Sequence, residues 1–489
     1  MSNQLDTCNV RTMESMQNQP SSHKKDKSFS SIALLGFTSV LFILIYACFI
    51  VTFGIGVNLL AVVCLIILIA ACVVLSFHFP FICILSSAPL YALRAPLLAI
   101  SPDLSPITAP SDSLLRATLG IPDILVIVMF AVSFVVQFMS KKLRRRDVLL
   151  VVFGAFLLSV YFIASSAPVE ARMAYLRSFL LPPTIFMAGY LSSVRDKYVY
   201  RKIVHISIGV SVIGILFYCI PVDFWVNNAN IFLNYKYGGT TDFGIPGSWI
   251  TSFLNTRILR LGGTFLDPIA FGYWLAVLFI ISFVYLRKSI FTLVFGSLIL
   301  LTFSKGAMLG AASAVLAARL YSSKRITSRL LYIGILAMVA VAASLLVHEG
   351  KGSFFVHMAG LVGGLGSALS TPLGNGLGAG GNWAGILGDD KTHTLLETGA
   401  ESALGTIGYQ LGMVGIVLFV LFLLWQIQVR FKSDDQLESA LGFGLLVMAT
   451  IGLIFQENSL SATASFLLWW TLGNTTSPAN NRIAPRIFG

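Results

Sequence analysis

The sequence predicts an all-α polytopic membrane protein with about 14 transmembrane helices, both termini in the cytoplasm and two long loops on the opposite side. Hydrophobic residues make up 56% of the 489 residues and charged residues 11%, with a mean hydropathy of +0.84. Soluble domains carry about 25% charged residues. The apolar runs are about 20 residues long, which suits membrane helices and not barrel strands. Because lipid offers the backbone no hydrogen bonds, each run is expected to be helical.

The apolar runs divide the chain into a series of predicted spans. In chain order they cover residues 31–52, 57–77, 79–100, 121–139, 147–166, 174–193, 203–221, 264–286, 289–304, 306–321, 329–348, 405–428, 437–455 and 460–473. The third run is interrupted by Pro89, Arg94 and Pro96. Three of the later runs are shorter than the others.

The distribution of charge predicts the orientation of these spans. With the amino terminus inside, the predicted cytoplasmic segments hold 23 Lys and Arg against 8 Asp and Glu, whereas the rest of the chain holds 10 and 13. The cytoplasmic segments include the basic cluster KKLRRR at 141–146. This bias follows the positive-inside rule. The net charge of +12 is therefore interpreted as a topology signal, and binding to nucleic acid is not predicted.

The spans belong to one predicted transmembrane domain, residues 31–473, between two cytoplasmic tails. The tail at 1–30 is polar and expected to be disordered, and the second tail covers 474–489. The first apolar run is too long for the core of a cleavable signal peptide, so it is expected to remain as a span. The long outer loops cover about 222–263 and 349–404, and the second is glycine-rich, with a helix predicted near 357–369.

The sequence predicts neither a metal site nor a bound cofactor. The six cysteines lack metal-ligand spacing, and five of them lie in or at the end of apolar runs. No P-loop, Rossmann glycine motif, GxSxG or HExxH occurs. The stretch GLGAGG at 376–381 resembles a phosphate loop only superficially, because no strand-to-helix unit surrounds it.

Charged residues in or beside membrane spans are costly, so each is a candidate for function. The candidates predicted on the outer side are Arg94, Arg172, Arg177, Arg257, Arg260, Asp267, Lys305, His393, Glu397, Glu401 and Glu457.

Arg257 and Arg260 precede a span, beside a Gly-Gly pair and the Asp267-Pro268 dipeptide. If this stretch is helical, their i and i+3 spacing puts them on one face. Two guanidinium groups at a membrane surface suit a diphosphate, which they bind through paired hydrogen bonds. The alternative is that they extend to lipid headgroups.

Lys305 lies in the outer turn between two short spans, where it is either part of an anion site or an interface anchor. His393 precedes a later span and is a candidate general base. Glu397 and Glu401 follow it at i+4 and i+8, so a helix would align all three. The alternative for these three residues is a solvated loop end.

Several short motifs occur in a characteristic order: LGGTFLDPIAFGYWLA, TFSKGAMLGAA, TPLGNGLGAG, THTLLE and IGYQLGMVGIVLF. In this order the chain resembles the O-antigen ligase and polymerase (Wzy-type) superfamily of bacterial polysaccharide assembly. The resemblance covers about residues 255–425 and the general number of spans. The chain departs from the family pattern at Lys305, where arginine is usual, at Asp267, and at Thr394, where asparagine is usual.

The resemblance implies a metal-independent glycosyltransferase of the bacterial inner membrane that needs no cofactor. Its donor would be a glycan on undecaprenyl diphosphate, which it would polymerise into an exopolysaccharide or O-antigen at the periplasmic face. The alternatives are ligase-type transfer of glycan to an acceptor and flipping of the lipid-linked glycan. Besides membrane lipid, the expected partners are a chain-length regulator and a flippase.

The resemblance also implies roles for individual residues. Arg257 or Arg260 would hold the diphosphate, Lys305 would supply a further cation, and His393 would activate the acceptor hydroxyl. The residues predicted to bind substrate are Arg172, Arg177, Asp267, Trp383, Glu397 and Glu401. Trp383 and Trp249 are expected to stack on apolar sugar faces.

Overall fold

The computed structural model describes ten stretches of the chain. They are residues 39–49, 58–99, 112–192, 197–221, 224, 249–253, 256–323, 353–387, 399–433 and 435–477. Residues His393 and Glu397, the predicted span at 329–348 and most of the outer loop at 222–263 lie outside them.

Within these stretches the protein is almost entirely helical. The helices are α1 (Ser39–Phe49), α2 (Asn58–His78), α3 (Ala88–Ala99), α4 (Asp112–Met139), α5 (Arg145–Ala164), α6 (Val169–Ser192), α7 (Lys197–Tyr218), α8 (Pro268–Ile280), α9 (Ser289–Thr302), α10 (Lys305–Ser322), α11 (Ser353–Ser370), α12 (Asn382–Leu387), α13 (Ala403–Phe431), α14 (Gln436–Phe455) and α15 (Ala462–Asn474). Short 3-10 helices cover Ile82–Ser87, Gly263–Phe265 and Glu457–Leu460, and α8 continues as a π-helix over Ile281–Leu286.

Seven helical segments of the described chain are long and apolar enough to cross a membrane. They are Leu60–His78, Gly120–Met139, Arg145–Ala164, Lys197–Tyr218, Pro268–Leu286, Ala403–Phe431 and Gln436–Phe455. Each corresponds to a predicted span, so the prediction of an all-α membrane protein is confirmed at this level.

Other predicted spans have a different structure from the one expected. The run at 79–100 is divided between a 3-10 helix and α3. The runs at 289–304 and 460–473 form α9, with 14 residues, and α15, with 13. Both helices are shorter than the about 20 residues that cross a bilayer alone.

Helix α15 lies at the centre of the bundle, and every one of its residues is buried. It packs along α6 and also contacts α8 and α14. Its contact with α6 is close because small residues face the partner backbone: a Cβ at Gly189 would lie 2.1 Å from the Trp470 carbonyl oxygen. Small residues at such positions let membrane helices approach closely.

Capping side chains define where several helices begin. Asp267 precedes α8, whose first residue is Pro268, and its carboxylate accepts hydrogen bonds from Ile269 N at 2.9 Å and Ala270 N at 3.3 Å. Asp435 caps α14 in the same way, and Ser402 caps α13. These residue types satisfy the free amides of a first helical turn, and proline suits the first helical position.

A two-stranded hairpin precedes α8, and it corrects one prediction. Strands β1 (Ile250–Phe253) and β2 (Thr256–Leu259) pair antiparallel. Arg257 lies in β2 and Arg260 directly after it, so the helical face assumed for this pair is wrong. In an extended chain, residues three apart point to opposite sides.

The second outer loop, predicted at 349–404, contains the two helices α11 and α12. The helix predicted near 357–369 is confirmed within α11. The glycine-rich stretch between them packs into a break in α13 at Gly412, where φ is 64° and ψ is −152°. Met413 N donates to Pro372 O at 2.9 Å, and Gly378 N donates to Gln410 Oε1 at 2.9 Å. Because Gln410 already occupies the Gly378 amide, that amide is not available to a phosphate.

Candidate functional site

Arg260 connects the hairpin to the end of α9. Its backbone N–H donates to Trp249 O at 2.8 Å, and its Nε donates to Thr302 O at 2.9 Å. The side chain is half-buried and lines a small pocket with Trp249, Tyr218 and Leu266. The pocket thus combines one guanidinium with aromatic and apolar walls.

Lys305 begins α10, three residues after the carbonyl that Arg260 contacts, and its side chain is exposed. The next residue, Gly306, lies against α8 and the end of α14: a Cβ there would be 2.9 Å from Tyr273 Oη and 3.4 Å from Gln456 Cγ. Arg257 is exposed on β2. Arg260 therefore contacts the last residue of α9, before the turn between α9 and α10, and Lys305 is the first residue after that turn.

The two predicted substrate-binding arginines on α6 have contacts inside the protein. Arg172 Nη1 donates to Phe162 O at 3.2 Å, and its guanidinium lies 5.1 Å from the centre of the Phe162 ring. A cation near the carboxyl end of a helix is stabilised by the helix dipole. Arg177 Nε lies 3.4 Å from Asp123 Oδ2. These contacts give both arginines a structural role. The same holds for Asp267, the cap of α8.

Asp123 is a buried carboxylate that was not singled out from the sequence. Besides Arg177, it contacts Tyr91, whose hydroxyl donates to Oδ1 at 2.6 Å. It therefore connects α3, α4 and α6. The available signal was an acidic residue after Pro122 at the start of an apolar run.

Glu457 is a further buried carboxylate. Tyr175 Oη donates to its Oε1 at 2.5 Å, and Asn382 N donates to its Oε2 at 2.8 Å. The backbone of Glu401 lies beside this carboxylate. Trp383, which is partly buried, donates from its backbone N to Tyr175 Oη at 3.1 Å.

The environment of Glu457 alters its acidity. Burial raises the pKa of Glu457 to about 7, and the nearby Glu401 carboxylate adds to the rise. The hydrogen bonds from Tyr175 and Asn382 N and the adjacent backbone of Glu401 act in the opposite direction and lower the pKa. Glu401 in turn contacts His357, whose Nδ1 lies 2.8 Å from Glu401 O and 3.6 Å from Glu401 Oε2. A carboxyl group with this pKa changes charge near neutral pH.

The sequence predicted that His393, Glu397 and Glu401 would align if they lay on one helix, but Glu401 is not helical. Glu401 lies in a turn with φ of 66°, and α13 begins only at Ala403. His393 and Glu397 lie outside the described residues.

Within the described part of the chain, no group of three or more His, Cys, Asp and Glu is arranged to hold a metal ion. Comparisons of the chain with protein-family models, with curated proteins and with solved structures find no match.

Proposed function

We propose that this chain is a multi-pass enzyme of the bacterial inner membrane that polymerises oligosaccharide repeat units carried on undecaprenyl diphosphate. The polymer is an exopolysaccharide or O-antigen chain, and transfer takes place at the periplasmic face without metal or cofactor. The observation that carries the proposal is the position of two cations from successive motifs. Arg260 contacts the end of α9, and Lys305 begins α10 directly after it.

The proposal includes the orientation of the chain and the full set of 14 spans. With both termini inside, Arg260, Lys305, Tyr175 and Glu457 belong to the periplasmic end of the bundle. The helices α9 and α15, too short to span alone, are held at membrane depth by neighbouring helices.

The chemistry is a glycosyl transfer. An acceptor hydroxyl attacks the anomeric carbon of the donor sugar, the bond to the phosphate oxygen breaks, and lipid diphosphate leaves. Arg260 and Lys305 stabilise the negative charge that develops on it. His393 removes the proton of the acceptor hydroxyl. The indole ring of Trp383 contacts a sugar face. Trp249, which was expected to do the same, is buried and donates from Nε1 to Leu266 O at 3.0 Å, so it supports the hairpin instead.

Replacement of the predicted base tests the proposal. We expect His393→Ala to lower polymer yield about a hundredfold or more, because a general base contributes about that much to the rate. Polymer yield and chain length would be measured in a deletion strain that expresses the variant, with the amount of protein in the membrane checked by immunoblot. His205→Ala is the matched control, since this exposed histidine of α7 bonds to Arg201 O and contacts the Phe291 ring, and neither residue belongs to the proposed site.

The outcomes separate the proposal from its alternatives. Normal polymer from His393→Ala would contradict the proposed base. Single glycan units transferred to lipid A core, with no growth of lipid-linked chains, would indicate a ligase. Accumulation of lipid-linked units on the cytoplasmic leaflet of the deletion strain would indicate a flippase.

A further inference from the structure

The break in α13 divides this helix into two parts. Gly412 has a φ of 64° and a ψ of −152°, far from the values of an α-helix. The part after the break, residues 413–431, is about 28 Å long, which is close to the thickness of the hydrocarbon core. The part before it, residues 403–411, is therefore not needed to cross the membrane.

Two contacts fix the depth of residues 403–411. Before their start, Ser402 Oγ lies 3.5 Å from Leu453 O of α14. At their end, Leu411 O accepts a hydrogen bond from Tyr161 Oη of α5 at 3.0 Å. Leu453 and Tyr161 each lie within one turn of the carboxyl end of a 20-residue helix that is long enough to cross a membrane.

Backbone contacts support the position of the second end. Gly376 N donates to Gln410 O at 3.0 Å, and the next amide, Leu377 N, donates to Tyr161 O at 3.4 Å. The backbone near the break in α13 therefore lies beside the last turn of α5, so the contact does not depend on the reach of the tyrosine side chain.

The carboxyl ends of α5 and α14 lie at the same end of the bundle. Helix α6 follows α5 after a short turn, and its Tyr175 donates to Glu457, two residues after the end of α14. Ser402 and Leu411 are about 13 Å apart along the helix, yet both lie at this one depth. Residues 403–411 therefore run along the plane of the membrane, near its boundary.

Helix α11 follows residues 403–411 in the same plane. Near its start, His357 Nδ1 lies 2.8 Å from Glu401 O, and just after its end, Met413 N donates to Pro372 O at 2.9 Å. Between these contacts, a Cβ at Gly364 would collide with the Gly405 carbonyl oxygen. Because both ends of α11 are held at this depth, the helix lies across the end of the bundle.

The face of α11 that points away from α13 is apolar. Phe355, Val362 and Leu369 are 40%, 65% and 72% exposed, and we call these three residues the α11 stripe. Their spacing of seven residues puts them on one side of the helix. Helix α11 contains no Asp, Glu, Lys or Arg.

We propose that α11 is an interfacial helix and that acyl chains of the adjacent leaflet cover the α11 stripe. At the boundary of the bilayer, lipid removes an exposed apolar stripe from water, which is favourable. Since α11 carries no Lys or Arg, this contact depends on apolar area and not on anionic headgroups. In the orientation proposed above, the leaflet is the periplasmic one. The contact itself does not depend on the proposed transferase activity.

Collision measurements on spin labels test the proposal. The variants Phe355→Cys, Val362→Cys and Leu369→Cys would be made one at a time in the full chain without its six native cysteines. Each would carry a nitroxide label in nanodiscs of phosphatidylcholine. Electron paramagnetic resonance then measures collisions with oxygen, which concentrates in lipid, and with a water-soluble nickel chelate. We expect all three labels to favour oxygen, at one depth of about 5–10 Å.

Helix α5 provides a matched control, because Leu149, Phe156 and Ile163 are exposed and have the same spacing of seven residues. Since α5 crosses the bilayer, the label at Phe156→Cys should lie about 10 Å deeper than those at the other two positions. Ser140→Cys, an exposed site beside the basic cluster, is the reference for water. The α11 stripe makes no use of buried packing, and if one variant does not fold, the other two positions still decide.

Three results would overturn the proposal. Nickel collisions on α11 as frequent as those at Ser140→Cys would put the stripe in water. Few collisions with either reagent would mean that a protein segment or a second copy of the chain covers it. Steps of about 10 Å between neighbouring labels would show that α11 enters the bilayer and does not lie along it. Because no substrate is used, each result is independent of the proposed function.

Discussion

Single buried polar residues connect helices that are distant in sequence. Arg430 is the largest charged example, with 1% of its surface exposed. Its guanidinium donates to Gln426 Oε1, Thr476 Oγ1 and the carbonyl oxygens of Leu472 and Thr475. It therefore fixes the end of α15 against α13, and its removal would leave several buried acceptors without a donor.

We expect Arg430→Ala to destabilise the protein by about 3 kcal/mol or more, since it leaves several buried acceptors without a donor at about 1–3 kcal/mol each. The measurement is the thermal unfolding midpoint in detergent. Lys432→Ala, an exposed change two residues away, should alter stability by less than about 0.5 kcal/mol. Similar midpoints for the two variants would contradict this account of Arg430.

At the scale of elements, helix pairs approach closely where glycines face a backbone. Helix α11 packs along the first half of α13 in the same direction. A Cβ at Gly360 would lie 1.9 Å from Ala400 O, and one at Gly364 would lie 2.1 Å from Gly405 O. The GxxxG spacing of Gly360 and Gly364 puts both on one helix face.

The variant Gly364→Ala should therefore separate α11 from α13 and lower stability by about 1–3 kcal/mol. Gly366→Ala provides a control on the same helix, because nothing lies within 4 Å of a Cβ there. It should be neutral or stabilising by up to about 1 kcal/mol, since alanine favours a helix more than glycine does. Unfolding midpoints in detergent distinguish the two. Equal effects would mean that helix propensity, and not the contact, determines stability here.

The sequence was sufficient for elements with a strong local signal. Long apolar runs predicted α2, α5 and α14, because length and hydropathy alone define such helices. The sequence was insufficient where the residue that a side chain contacts is distant in the chain. Nothing near Arg177 indicates Asp123, which is 54 positions away, so their ion pair could not be predicted. The hairpin before α8 was missed because two four-residue strands have too few residues to show an alternating pattern.

At the scale of the whole molecule, the two ends of α5 provide a direct test of orientation. Helix α5 is apolar and largely exposed on the surface of the bundle, and the basic cluster at 141–146 covers its start. The proposed topology puts its amino-terminal end in the cytoplasm.

In a variant without the six native cysteines, we expect Ser166→Cys to react with a membrane-impermeant maleimide in spheroplasts. Ser140→Cys should react only after the membrane is permeabilised. Both serines are exposed, so access through the membrane, and not burial, determines the result. Labelling of Ser140→Cys alone in sealed spheroplasts would reverse the topology.

The shortness of α15 has a consequence for biogenesis. At 13 residues it extends about 20 Å, against a hydrocarbon core of about 30 Å. It follows all other described helices in sequence, yet it packs along α6, which is synthesised much earlier. The insertion machinery cannot release such a segment into lipid by hydrophobicity alone, so we expect it to enter only after α6, α8 and α14 have assembled a groove for it. Completion of the bundle is then coupled to the end of translation.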